Sequence, residues 1–343
     1  MYYFLLNKAI KKRLILIIEN EDLPLMDSII LHFKRYKIMI KRKDFFEFSL
    51  SRSLQIGILI FVIIFILRMI EIFILRLDEI WGEVFVSKLL GFLIIIGYLW
   101  IVKRKPRDIG FHTNHLLKSI SIAFVVMALS ILLSYLAEWI YLARKGMEVS
   151  LIFAPLSYSL DAEYAMKGGL LFGLWLFFGN VMNSLMEEGL FRGVMVTHFR
   201  GGLSFWKANI LQAFLFGIWH IVWPIKSYAM NQMNAQEAII VSIGYIFSSG
   251  IIALVWGYLF LKTGSLWAPW LAHTLSNSVM NLLHTVTPQG YDTGFLLRMS
   301  ILPLIALLTL PIIDWMAKKY QLSGLKKWNT SNSEILTEEI KTT

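Results

Sequence analysis

The sequence predicts an all-α fold: a polytopic membrane bundle of about eight transmembrane helices with both termini cytoplasmic. Three observations carry this expectation. Of 343 residues, 57% are hydrophobic and only 16% charged, with a mean hydropathy of +0.63, whereas soluble domains hold about 45–50% apolar and about 25% charged residues. Apolar runs long enough to span a bilayer, roughly 20 residues each, recur from residue 54 onward. None of these runs alternates as a β-barrel strand does, and backbone groups in lipid must be satisfied internally, which leaves helices. The 12 Trp, 13 Tyr and 24 Phe suit the aromatic belts of a membrane protein. Cysteine is absent, which excludes disulfides, a thiolate nucleophile and Cys-ligated metal sites. A net charge of +10 fits basic loops and tails facing the cytoplasm better than a nucleic-acid partner.

Residues 1–52 stand apart. They carry eleven Lys and Arg against six acids, and their apolar stretches, such as Leu14-Ile15-Leu16-Ile17-Ile18, are too short to span. No small-residue cleavage site follows, so a basic cytoplasmic extension near anionic headgroups is expected rather than a signal peptide. Met39 offers an alternative start. The predicted helices then cover 54–76, 84–102, 117–142, 169–197, 207–225, 237–262, 265–285 and 294–317. This gives a membrane domain over 53–317 and a cytoplasmic tail over 318–343. Lys103-Arg104-Lys105-Pro106-Arg107, Arg200, Lys207, Lys318 and Lys319 mark one side as cytoplasmic, and Asp78, Glu79 and Glu83 mark the other. No internal repeat is visible, which argues against a transporter of duplicated halves.

Ionisable groups inside spans cost several kcal/mol or more, so each is a functional candidate. Arg68 and Glu71 lie at i, i+3, and are expected to neutralise each other or to snorkel near the helix end. Glu138, beside Trp139 and Tyr141, reads as an interfacial structural residue. The fourth span differs, running Asn183-Ser184-Leu185-Met186-Glu187-Glu188-Gly189-Leu190-Phe191-Arg192. Glu188 and Arg192, at i, i+4, form a favourable pair. Glu187 points about 100° away around the helix and has no intrahelical partner. Asn183, one turn earlier, shares its face. The structural alternative is an ion-pair lock between helices.

Two further spans add histidines. The fifth carries Phe216-Gly217-Ile218-Trp219-His220, and the seventh His273-Thr274-Leu275-Ser276-Asn277. Phe216 can pack on the His220 ring, and His273 and Asn277 share a face one turn apart. Counted from the cytoplasmic end of each span, Glu187, His220 and His273 lie at similar depth, roughly 13–20 Å at 1.5 Å per residue. His284 fails this test, and His32, His112, His115 and His198 lie outside the spans or at their margins. Such a layer suits hydrolysis, with a carboxylate and imidazole activating water while an imidazole and amide stabilise an oxyanion. Ser184 has no assigned base. By ligand type Glu187, His220 and His273 would suit a divalent metal such as zinc, although nothing in their spacing demands one.

Glu187-Glu188-x-x-x-Arg192, Phe216-x-x-x-His220 and His273-x-x-x-Asn277, in that order on separate spans, resemble the CAAX prenyl protease and bacteriocin-processing (CPBP) family of intramembrane proteases. Gly264-Ser265-Leu266-Trp267-Ala268-Pro269 and Asp108-Ile109-Gly110-Phe111 look similar to it as well. The resemblance covers roughly residues 54–317. It implies an eight-span endopeptidase whose polar cavity opens toward the cytoplasmic half of the bilayer. It further implies that Glu187 and His220 activate water, that His273 and Asn277 stabilise the oxyanion, and that Glu188 and Arg192 orient the site. The family is often described as metalloproteases, yet this chemistry can be written without a metal.

The Lys- and Ile-rich composition suggests a low-GC bacterium, and so a bacterial cytoplasmic membrane as the location. A bacterial source makes a prenylated substrate less expected, and for bacterial members the resemblance implies a membrane-associated peptide or protein substrate, in bacteriocin or pheromone maturation or self-immunity. The rival reading is a non-enzymatic immunity or scaffold protein that regulates a membrane partner.

Overall fold

The computed structural model of the protein describes residues 54–325; the basic segment 1–52, Met39 and the tail beyond Leu325 lie outside the described residues. Each predicted apolar run is helical over most of its length. The helices are α1 (Leu54–Leu75), α2 (Val86–Ile101), α3 (Leu116–Arg144), α4 (Leu170–Phe199), α5 (Phe205–Ala229), α6 (Ala235–Thr263), α7 (Trp267–Leu282), α8 (Phe295–Leu308) and α9 (Leu310–Lys319). Five of them (α1, α3, α4, α5 and α6) are long and apolar enough to cross a membrane, and α8 with α9, bent by 42°, makes a sixth if it is one broken span. The expected eight is therefore not met by length. At 16 residues each, α2 and α7 reach about 24 Å, short of a hydrocarbon core of about 30 Å. Pro303 and Pro311 lie on either side of the bend near Thr309, where a missing N–H interrupts the ladder.

A small antiparallel sheet departs from the all-helical expectation. Strands β1 (Ser150–Phe153), β2 (Leu283–Thr287) and β3 (Gly290–Tyr291) pair in the order β1-β2-β3, with Ser150 opposite Val286 and Phe153 opposite Leu283. Beneath it lies an ion network. Glu138 is fully buried rather than interfacial; it accepts hydrogen bonds from Thr285 Oγ1 at 2.9 Å and Arg298 Nη1 at 2.8 Å. Arg298 Nη2 also bonds Asp292 at 2.8 Å, and His284 Nδ1 donates to Asp292 at 2.6 Å. Burial pushes the Asp292 carboxyl up, but the His284 hydrogen bond and the Arg298 charge more than offset this and hold it below its ordinary value. Its stabilising contribution is thus present above the ordinary aspartate range and lost as pH falls through the lowered value. Arg298→Met would strand the buried Glu138 charge. A loss of about 3–5 kcal/mol is expected, seen as a lowered Tm in detergent.

Two packing features set up the site. Glu71 accepts the backbone N–H groups of Phe85, Val86 and Ser87 at 2.9, 2.8 and 2.6 Å, satisfying donors that the start of α2 would otherwise leave free. The expected Arg68–Glu71 pair is therefore replaced: Glu71 holds α1 to α2, and Arg68 is released to another partner. At Gly217 the α5 and α6 backbones approach so closely that a Cβ would lie 2.6 Å from the Ile246 carbonyl oxygen. Only glycine allows this approach, and it brings Trp219 and His220 against the centre of the bundle.

Candidate active site

Helix α4 changes geometry where its acidic pair falls. The α-helical stretch ends at Glu188, and Gly189–Val196 continues as a π-helix, a wide turn found mostly at functional sites. Glu187, Glu188 and Arg192 are each 0–1% exposed. Arg192 Nη1 bonds Glu188 Oε1 at 3.1 Å, and its guanidinium lies 4.6 Å from the centre of the Phe216 ring. Glu188 Oε1 also accepts His273 Nδ1 at 2.9 Å. A carboxylate only accepts, so Nδ1 carries the proton and Nε2 of His273 faces Glu187, 3.8 Å from Oε2.

Glu187 has tertiary partners. Its Oε1 accepts Trp219 Nε1 at 2.8 Å and Arg68 Nη1 at 3.4 Å. Arg68 in turn stacks over Trp219 and Trp223, 4.5 and 5.6 Å from their centres. Oε2 of Glu187 is buried with no hydrogen-bond partner among the described residues. One oxygen is clamped and the other is free.

His220 Nδ1 donates to the Phe216 carbonyl at 2.8 Å, which leaves Nε2 with a lone pair in the neutral ring. The Phe216 and His220 rings pack at 4.7 Å, and Trp256 stacks on His273 at 4.4 Å. Glu187, His220, His273, Asn277 and Asn183 line one cavity of about 110 Å³. Asn183 Oδ1 is buried and unpaired, and Asn277 makes no hydrogen bond among the described residues. The predicted site residues thus meet around one space, with Glu188 and Arg192 behind His273.

Other candidates lie elsewhere. Ser184 donates its hydroxyl to the Asn180 carbonyl at 2.8 Å. His112 bonds the Gly264 carbonyl at 3.0 Å, and His198 bonds the Tyr98 hydroxyl at 2.5 Å. His284 belongs to the network under the sheet, and His32 lies outside the described residues. Sequence reasoning missed Arg68 and Trp219. The signal for Arg68 is an ionisable residue inside a span, which its helical neighbour Glu71 masks by offering a local partner. Nothing in the local sequence singles out Trp219. As placed, the described residues contain no group of three His, Asp or Glu side chains able to hold one metal ion, and Glu187, His220 and His273 form none.

Glu188→Gln removes a charge from between Arg192 and His273. Because this leaves the Arg192 guanidinium uncompensated in a buried site, a loss of about 3–5 kcal/mol and a lower yield of folded protein are expected. Thermal melting of the purified variant checks this.

In comparison with known proteins, no curated protein matches the chain. A family match, described as Type II CAAX prenyl endopeptidase Rce1-like, covers residues 169–279. That stretch runs from the start of α4 into α7 and holds all six residues singled out above: Glu187, Glu188, Arg192, His220, His273 and Asn277. The chain is a multi-pass membrane protein with a domain of the Rce1-like family, the type II CAAX prenyl endopeptidases, at residues 169–279.

Proposed function

We propose that the protein hydrolyses a peptide bond in a membrane-associated peptide, with Glu187 as the general base. The observation that carries this is the asymmetry of Glu187. Oε1 is fixed by Trp219 and Arg68, while Oε2 is buried, unpaired and close to His273 Nε2. A water held by Oε2 and the His220 Nε2 lone pair gives up a proton to Glu187 as its oxygen attacks the scissile carbonyl. The same carboxyl then delivers that proton to the departing amine. The Asn277 amide supplies an N–H to the oxyanion. His273 can donate through Nε2 only when doubly protonated, since Nδ1–H is engaged by Glu188. Arg192 and Glu188 hold that ring in place.

No step of this route passes through a metal. Prolonged chelation of purified protein is therefore expected to leave cleavage unchanged. Activity lost with a bound ion and regained on its return would move Glu187, His220 and His273 to ligand roles. The proposal itself is tested in liposomes, with bilayer-bound peptides offered with and without a prenyl group and products read by mass spectrometry. A product made by wild type and not by Glu187→Gln supports it, and no product from any such peptide contradicts it.

A further inference from the structure

The cavity extends from Glu187 toward one end of the bundle. On α4 it continues past Asn183 to Asn180, on α5 past His220 to Trp223, and on α6 from Trp256 to Tyr245. Glu83 and Lys88, at the start of α2, and Tyr158, in the segment between β1 and α4, complete that end. A second cavity of about 190 Å³ shares Tyr158 and Trp223 with the first and is also lined by Asp78, Glu79, Lys226 and Met230. The path between site and surface thus runs beside Tyr158, whose hydroxyl meets that of Tyr245 and whose ring lies 5.0 Å from Trp223. In the other direction the chain is packed shut. Ile109, Leu190, Phe191, Val194 and Leu266 are each 0–1% exposed, and a Cβ at Gly193 would already crowd Ile109 and Leu266 at 3.0 Å.

The two ends differ in charge. The closed end carries Lys103, Arg104, Lys105, Arg107, Lys118, Arg200, Lys207, Lys262, Lys318 and Lys319 against Asp108 and Asp314. The open end is nearly balanced, with Asp78, Glu79, Glu83, Glu138, Glu148, Asp161, Glu163, Glu237 and Asp292 against Arg76, Lys88, Arg144, Lys145, Lys167, Lys226 and Arg298. Lys and Arg collect on the cytoplasmic side of membrane proteins. The resemblance implies a cavity facing the cytoplasmic half of the bilayer, whereas the packing and the charge distribution of this chain argue for the opposite end.

We propose that the site takes its substrate from the non-cytoplasmic face, so that it acts on exported or outward-facing membrane-associated peptides that enter past Tyr158 and Trp223. This rests on the protease reading above. Entry requires the Tyr158–Tyr245 contact to part, and the Asp78–Lys226–Glu79 cluster at the rim meets the incoming chain first.

The absence of cysteine makes the test direct. Single cysteines are placed at Ser249 and, as a second probe, Ser276, both lining the cavity; at Tyr164, exposed on the open end; and at Arg107, exposed on the basic end. Intact cells and inverted membrane vesicles are treated with a small, membrane-impermeant methanethiosulfonate. Modification of Tyr164→Cys and either cavity variant in intact cells, and of Arg107→Cys only in inverted vesicles, is expected. Cavity cysteines modified only from the Arg107 side, or from neither side, overturn the proposal. So does modification of Arg107→Cys in intact cells. Labelling needs no catalysis, so it stands whether or not the protease reading does. Where wild type and Glu187→Gln cells differ in peptide ends, those ends should lie in non-cytoplasmic segments. Ends confined to cytoplasmic segments would also overturn it.

Discussion

Glu187→Gln is expected to lower cleavage by about 100- to 10,000-fold, the range that a positioned general base supplies. The exchange keeps side-chain volume, and an amide oxygen in the Oε1 position can still accept from Trp219 and Arg68, the contacts seen at 2.8 and 3.4 Å. What disappears is the unpaired Oε2, which becomes an NH₂ group that cannot take a proton from water. Yield and melting temperature should fall less than in Glu188→Gln: Arg68 loses its charged partner at 3.4 Å but keeps its stacking on Trp219 and Trp223, and a charge confined at this depth itself costs stability. The contrast with Glu188→Gln is diagnostic. That variant should lose folded protein, whereas Glu187→Gln should lose turnover. An inactive but well-folded Glu188→Gln beside an active Glu187→Gln would exchange the two roles.

Asn277→Ala should lower kcat by about 100- to 1,000-fold with KM close to wild type. This is the usual effect of removing one oxyanion donor, which acts on charge that appears only in the transition state. Asn277→Asp should be at least as damaging, since it sets a negative charge against the developing oxyanion. A purely structural asparagine would bridge helices, and its loss would cost about 1–2 kcal/mol of stability. Asn277 lines the cavity and bonds no other helix among the described residues, so little change in Tm is expected. Single-turnover cleavage with monodisperse protein separates the two. Wild-type turnover in a thermally weakened Asn277→Ala protein would assign it to holding helices.

Much of the helical layout is legible from apolar runs alone, because lipid forces backbone groups to pair within each segment. Run length failed where the chain leaves the helix inside an apolar stretch. After Leu282 the segment Leu283-His284-Thr285-Val286-Thr287 becomes β2, a β-branched cluster closed by Pro288-Gln289-Gly290. The Glu188–Arg192 pair could be anticipated because i, i+4 contacts are local. Arg68 could not be placed by the same logic. Its i+3 neighbour Glu71 is drawn off by three backbone N–H groups of another segment, and its partner Glu187 lies 119 positions away. Trp219 is a tertiary donor of the same kind, 32 positions from the carboxylate it holds. Direction of access is a property of packing between helices, which a single helix pattern does not encode.

The central claim is that this chain cuts peptides with water activated at Glu187. Membrane-bound and secreted peptides from cells making wild type are compared by mass spectrometry with those from cells making Glu187→Gln at equal protein level. A set of new peptide ends present with wild type and absent with the variant is the expected result. Identical peptide sets, with any phenotype of the protein retained in the variant, would contradict the claim.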